Sequence, residues 1–292
     1  ISERIFKFEL ATLGGTHRDT LNSQEATADA LCSLRRYPEA EQVYHEVYIA
    51  RQDIGGKASK QALMTAYSLA NVYSKQGRVR DALELYSESD LIAGKRKSNV
   101  MLDLISNLLK HCEIAKLHLK VGEFKEANSL ASDVVDQRLR MVGLDNEETL
   151  KARHIKGCAL SGLKRWVDAD KELRIVVKLG SEILGKAHPM VLLASRDLAR
   201  VKIHWGKVQD AHKIYVELLE VQLKNFTLDH ETTIGIMREM AEVLMSMRRF
   251  NMALLMYMQA QIFASSFLPE THIEKENCEA DVAAVFVKIL PI

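Results

Sequence analysis

Residues 63–86 read LMTAYSLANVYSKQGRVRDALELY, and this stretch decides the fold. Leu63, Ala66, Leu69, Ala70 and Tyr73 recur at three- and four-residue spacing, the apolar stripe of an amphipathic helix. Lys75-Gln76-Gly77-Arg78 then reads as a turn, and Val79, Ala82, Leu83 and Tyr86 form the facing stripe of a second helix. A side chain as small as Ala82 lets the two helices approach closely, and the aromatic ring of Tyr86, one turn on, fills the groove beside it.

The same pattern recurs along the chain. Ala82 belongs to a column with Ala40, Ala127, Ala169, Ala211 and Ala253, at intervals of 42, 45, 42, 42 and 42 residues. Three residues before each alanine stands Tyr37, Val79, Phe124, Trp166, Val208 or Phe250. Two positions earlier again comes a turn residue, Gly77, Gly122 and Gly206 in three units and Arg35, Lys164 and Arg248 in the others. Tyr44, Tyr86, Ala131, Leu173, Tyr215 and Tyr257 follow each alanine by four, and Leu21, Leu63, Leu108, Leu150, Leu192 and Ile234 precede it by nineteen. One helix pair cannot bury its apolar face alone, whereas stacked pairs share a continuous core. The expectation is one solenoid domain over residues 1–292, with repeats near 21–54, 63–94, 108–142, 150–184, 192–226 and 234–267.

Outside the repeats, Arg4 to Leu13 reads as the tail of a second helix. His272 to Lys288 reads as one more helix, near 270–289, with Ala280, Ala283, Ala284 and Val287 on its apolar face. A solenoid needs polar end caps, and the chain starts on Ile1 with half a repeat, so it is expected to be an excerpt of a longer protein.

Composition supports a folded, soluble chain: 47% hydrophobic and 27% charged residues. Pro38 and Pro189 precede helical patterns and Pro269 and Pro291 lie at a junction and at the chain end, so no proline breaks a helix interior. A net charge of +1 gives no global drive toward nucleic acid or membrane. Cys32, Cys112, Cys158 and Cys278 are scattered without a C-x-x-C pair and read as reduced thiols, which points to the cytoplasm. No apolar run reaches the roughly 18 residues of a membrane span.

Between the helix pairs lies a second signature. Leu184-Gly185-Lys186-Ala187-His188-Pro189 leads into Leu192, and Leu13-Gly14 leads through His17 to Thr20-Leu21. Weaker copies run from Val142-Gly143 to Thr149-Leu150, and from Phe226 through His230 to Thr233-Ile234. With the 42-residue columns, these loops resemble the tetratricopeptide repeat (TPR) in its kinesin light chain-like form, over roughly residues 13–267. The resemblance implies an all-α right-handed TPR superhelix, an α-α solenoid of six helix pairs plus partial flanking helices. The family's paired asparagines on the inner face of the first helix are mostly replaced here.

Several stretches imitate chemistry. Gly180 to Ala187 resembles a phosphate loop, but it lacks the terminal hydroxyl and a preceding strand, so it reads as an inter-repeat loop. His111 and His118, like His204 and His212, do not have the spacing of a helical zinc pair, so no metal is expected. His17, His188 and His230 recur at the loop position and read as capping residues. No catalytic signature appears; neither an enzyme nor a cofactor is expected. Met237, Met240, Met245, Met247, Met252, Met256 and Met258 crowd the sixth repeat, as core filling or as an adaptable contact surface with Met245 the leading exposed candidate. Lys95-Arg96-Lys97 falls where the interval stretches to 45 and marks a longer loop.

In the resembled family the ligand lies in a concave groove lined by first helices. Its contact positions correspond here to Glu25 and Asp29, then Tyr67, Asn71 and Lys75, then Lys116 and Lys120. Further along come Lys151 and His154, Arg196 and Arg200, and Arg238 with Glu242. This face reads as acidic at its start and basic from the third repeat on, suited to a protein or peptide ligand with an acidic or phosphorylated segment. The expected function is a non-catalytic binding scaffold or adaptor, with no nucleic-acid or membrane partner and with self-association open through the N-terminal repeat edge. The alternative the resemblance carries is a peptide-sensing regulatory receptor, or the C-terminal sensor array of a nucleotide-switched signalling ATPase.

Overall fold

A computed structural model describes residues 2–93, 100–143, 146–224 and 230–289. The basic run Lys95-Arg96-Lys97, Phe226 and Pro291 lie outside the described residues. Within them the chain forms fourteen α-helices and no strand. In order these are α1 (Ser2–Leu13), α2 (Arg18–Ser33), α3 (Tyr37–Gly55), α4 (Lys60–Lys75), α5 (Val79–Ala93), α6 (Val100–Val121) and α7 (Phe124–Val142). There follow α8 (Glu147–Gly162), α9 (Trp166–Ile183), α10 (Pro189–His204), α11 (Val208–Lys224), α12 (His230–Ser246), α13 (Phe250–Phe267) and α14 (Ile273–Ile289). The even-numbered helices from α2 to α12 are the first helices of the six pairs, and α1 and α14 flank them.

The chain divides into two compact units, residues 1–123 (α1 to α6) and 124–292 (α7 to α14). Within each, every helix packs on the next in the chain; in the second unit α8 also touches α10, and α12 touches α14.

The pair turn is the same in all six repeats. Arg35, Lys164 and Arg248 adopt φ of 58°, 60° and 57°, and Gly77, Gly122 and Gly206 adopt 82°, 86° and 79°. Each turn returns a backbone N–H to a carbonyl five residues back, as in Arg78 N to Tyr73 O (2.9 Å) and Arg165 N to Leu160 O (2.9 Å). This is the Schellman closure, which needs a left-handed residue at that point. Three repeats spend a non-glycine residue there, at a cost of roughly 1 kcal/mol each.

Side-chain caps start several first helices. His17 accepts from Asp19 N and His188 from Met190 N, as their recurrence in the loop signature predicts. His272 does the same for Glu274 N at the start of α14, and Ser59 and Asn146 cap α4 and α8. His230 is instead the first residue of α12, and its ring stacks on Phe267 and meets Phe263 edge-on.

The core follows the columns. All six column alanines are fully buried, as are Leu150, Leu173, Tyr215 and Ile234. A second small column, seven residues after the leading Leu or Ile, comprises Ala28, Ala70, Ala115, Gly157, Ala199 and Ala241, all buried. At Gly157 a Cβ would stand 2.7 Å from Leu173 Cγ, so α8 and α9 approach too closely there for even a methyl group.

Three expectations need correction. Helix α6 begins eight residues before Leu108, whereas Leu21, Leu63, Leu150 and Leu192 each lie three residues into their helices. The 45-residue interval therefore lengthens a first helix and not merely a loop. On α14 the packed face carries Cys278, Val282 and Val285, an i, i+4, i+7 stripe, while Ala280, Ala283, Ala284 and Val287 are exposed. The larger side chains bury more apolar area than the alanines and set the helix rotation. Met245 packs against the core with Met247 and Met256, and of the sixth-repeat methionines Met252 and Met258 are exposed.

Candidate functional site

In the first unit, the face expected to open as an acidic patch is internally bonded. Glu25 meets the buried guanidinium of Arg51 at 2.9 Å, and Arg51 also donates to Thr65 Oγ1 (2.6 Å) and Asn22 Oδ1 (2.8 Å). Asp29 accepts the Tyr44 hydroxyl. Tyr67 stacks on Tyr86 with ring centroids 5.8 Å apart, and the Lys110 ammonium lies 3.4 Å from the Tyr67 ring centre. Lys116 pairs with Glu113 at 2.7 Å, while Asn71, Lys75 and Lys120 are exposed.

In the second unit the cations read from the sequence are each matched by a carboxylate. Lys151 sits between Glu147 (2.9 Å) and Glu148 (2.8 Å) on its own helix. His154 Nε2 on α8 meets Asp197 Oδ2 on α10 at 2.8 Å. Arg196 on α10 forks onto Glu239 on α12, with Nε and Nη2 at 3.0 and 2.7 Å from its carboxylate oxygens. Arg238 on α12 reaches Asp281 and Glu274 on α14 at 2.5 and 2.7 Å. The three inter-helix partners Asp197, Glu239 and Asp281 each lie 43 residues beyond their cation, one repeat plus one residue. A cation at one repeat position thus answers a carboxylate at the next position of the following repeat, which makes a ladder along the first helices. The face is charge-balanced, not basic: the contact positions carried over by resemblance skip the column that holds these acids.

Arg200 ties two rungs together. It donates to Asp197 Oδ1 (3.3 Å) and to Glu239 Oε1, and its side chain remains 46% exposed. Glu239 also accepts the Tyr215 hydroxyl at 2.9 Å, so one carboxylate serves three donors from α10 and α11. Burial works against ionisation of Asp197 and Glu239, yet hydrogen bonds from His154 in one case and from Arg196 and Arg200 in the other hold both below their ordinary values. Glu242, without such donors, is raised by burial and by the charges of Glu239 and Asp281.

Cys158 Sγ, one turn after His154 on α8, lies 3.6 Å from His154 Nε2 and 3.5 Å from Asp197 Oδ2. Burial and the Asp197 charge push its thiol well above the ordinary value. The H-x-x-x-C spacing that puts both side chains on one face of α8 is visible in the sequence. On another side of the same unit, a groove of about 790 Å³ runs between α9, α10 and α11, lined by Val177, Leu198 and Ile214 with Arg174, Lys213 and Glu217 at its edges. Lys202 reaches the groove from a fully buried position, held by Asp170 at 2.7 Å.

Repeated helix pairs that close through one left-handed turn around a buried small-residue column are tetratricopeptide repeats. The chain has that fold. The tetratricopeptide repeat family model matches residues 19–89. Among solved structures, the chain is similar to the nearly identical TPR-like repeats of a Podosopora anserina protein described as a kinesin light chain, at 23% identity and a TM-score of 0.61 over 73% of this chain and 99% of that one. BtubC (BKLC) from P. vanneervenii is similar at 15% identity and a TM-score of 0.61, over 86% and 95% of the two chains. A Rap protein complexed with Competence and Sporulation Factor is similar at 10% identity and a TM-score of 0.58, over 91% and 88%. No curated protein matches the sequence. Among the described residues no helix is long and apolar enough to cross a membrane.

Proposed function

We propose that the chain is a non-catalytic cytoplasmic scaffold that binds a protein or peptide segment along the first-helix face of its second unit. The observation that carries this is Arg200, whose half-exposed guanidinium stands between two rungs of an otherwise self-satisfied ladder. An acidic or phosphorylated ligand group would take the outward edge of Arg200 and share the ladder's charge, since guanidinium accommodates carboxylate or phosphate bidentately. Because internal acids already balance the neighbouring cations, recognition rests on a few exchangeable pairs and not on a broad positive field.

A second reading is favoured by the same geometry. Arg200 bonds carboxylates on its own helix and on the next repeat, so a ligand that captures it alters the bonding between α10 and α12. That is how a peptide-sensing receptor would convert binding into a change of repeat packing.

Polarisation assays with acidic and phosphorylated peptides test the proposal. The Arg196→Glu, Arg200→Glu double variant, checked for helicity, should lose binding at least tenfold. Unchanged binding contradicts the assignment of this face.

A further inference from the structure

We propose that His154, Cys158 and Asp197 form a binding site for a zinc-class divalent cation. The three ligand atoms, His154 Nε2, Cys158 Sγ and Asp197 Oδ2, come from two packed helices and all lie within 4.8 Å of one another. An imidazole, a thiolate and a carboxylate form a mixed N, S, O set that suits zinc, which takes any of the three in tetrahedral geometry.

The separations fit this use. With metal bonds of about 2.3 Å to sulfur and about 2.0–2.2 Å to nitrogen and oxygen, tetrahedral ligand edges come to roughly 3.4–3.6 Å. The two sulfur edges are already 3.6 and 3.5 Å, and only the nitrogen–oxygen edge, at 2.8 Å, must open. His154 and Cys158 are one turn apart on α8, so a single helix face presents both, and α10 supplies the third ligand without a loop having to fold over. Three protein ligands leave the fourth tetrahedral position for water, which the partial exposure of the cluster permits.

The surroundings are those of a metal ligand shell. Asp197 uses Oδ2 toward the cluster, while its other oxygen accepts from Arg200, a bond that would orient a ligating carboxylate. Binding displaces the thiol proton of Cys158, and His154 ligates as its Nδ1–H tautomer, giving up the Nε2–H bond it makes to Asp197 in the metal-free protein. A thiolate and a carboxylate then neutralise the dication, which relieves the like-charge pressure that Asp197 exerts on the thiol. Affinity should therefore fall as pH falls, because protons compete for sulfur and imidazole.

Cobalt(II) titration of the purified reduced chain is the test, since a cobalt–thiolate bond gives a near-ultraviolet charge-transfer band and tetrahedral cobalt gives strong visible bands. The expected result is one equivalent of cobalt producing both, with displacement by zinc. Cys158→Ser should abolish the near-ultraviolet band, His154→Gln should weaken binding at least tenfold, and Cys32→Ser should change neither. Circular dichroism checks each fold; if Cys158→Ser unfolds, His154→Gln and Asp197→Asn carry the test. Absence of the bands in the unaltered chain overturns the proposal. So does a spectrum that His154→Gln or Asp197→Asn leaves at full affinity, because the cation then sits elsewhere.

Discussion

Arg196 on α10 forks onto Glu239 on α12, and Glu239 in turn accepts from Arg200 and from the hydroxyl of Tyr215. This carboxylate serves three donor residues at once. Replacing it by an isosteric amide leaves the two arginines facing a neutral oxygen and a competing N–H. Glu239→Gln should lower unfolding stability by roughly 3 kcal/mol, the scale for breaking a shielded ion pair from one side, as read from denaturant melts. A loss below about 0.5 kcal/mol would mean that the bridge is solvated and adds little.

The acid limb of stability should follow from the same groups. Asp197 and Glu239 have folded-state values below the ordinary 3.8 and 4.5, so their contribution is present above those values and is lost as pH falls through the lower folded ones. Glu242 runs the other way: with a folded value above 4.5, it favours the fold when protonated and loses that contribution as pH rises. Glu242→Gln should therefore raise the melting temperature at pH 7 and have little effect at pH 3, a difference that thermal melts at the two pH values will show.

Turn closure offers a test without any charge. Lys164 holds φ of 60° where three sister repeats use glycine. Lys164→Gly should be neutral or stabilising by up to about 1 kcal/mol, because left-handed backbone strain is removed while unfolded-state entropy rises. Gly206→Lys should destabilise by about 1 kcal/mol. Paired urea melts decide both signs.

Close packing of α8 on α9 predicts that Gly157→Ala is destabilising, by about 1–3 kcal/mol, because the added methyl would meet the buried Leu173. A thermal shift of several degrees for Gly157→Ala alone is the expected reading.

The fold was legible because its determinants are local and repeated. Ala82 and its five counterparts, the left-handed turn column from Arg35 to Arg248, and the caps His17 and His188 each act within one helix pair, so periodicity exposes them. What escaped depends on neighbours a repeat away. Asp197, Glu239 and Asp281 look like ordinary surface acids until stacking sets them beside His154, Arg196 and Arg238. Glu25 likewise looked free until Arg51 of α3 folded onto it. The rotation of α14 turned on which of two candidate stripes buries more area, a competition that alanine-rich sequence leaves close. His272 escaped as a cap because it lies outside the repeated loop columns, and Cys158 because its partners are one histidine and one aspartate.

Hydrogen–deuterium exchange with the tightest peptide from the polarisation screen tests the central claim most directly. Binding along the first-helix face predicts slowed exchange in α8, α10 and α12, centred on the segments that carry His154, Arg200 and Glu239. Protection confined to α9 and α11, around the groove edged by Arg174, Lys213 and Glu217, would contradict it and move the ligand to the other side of the repeats.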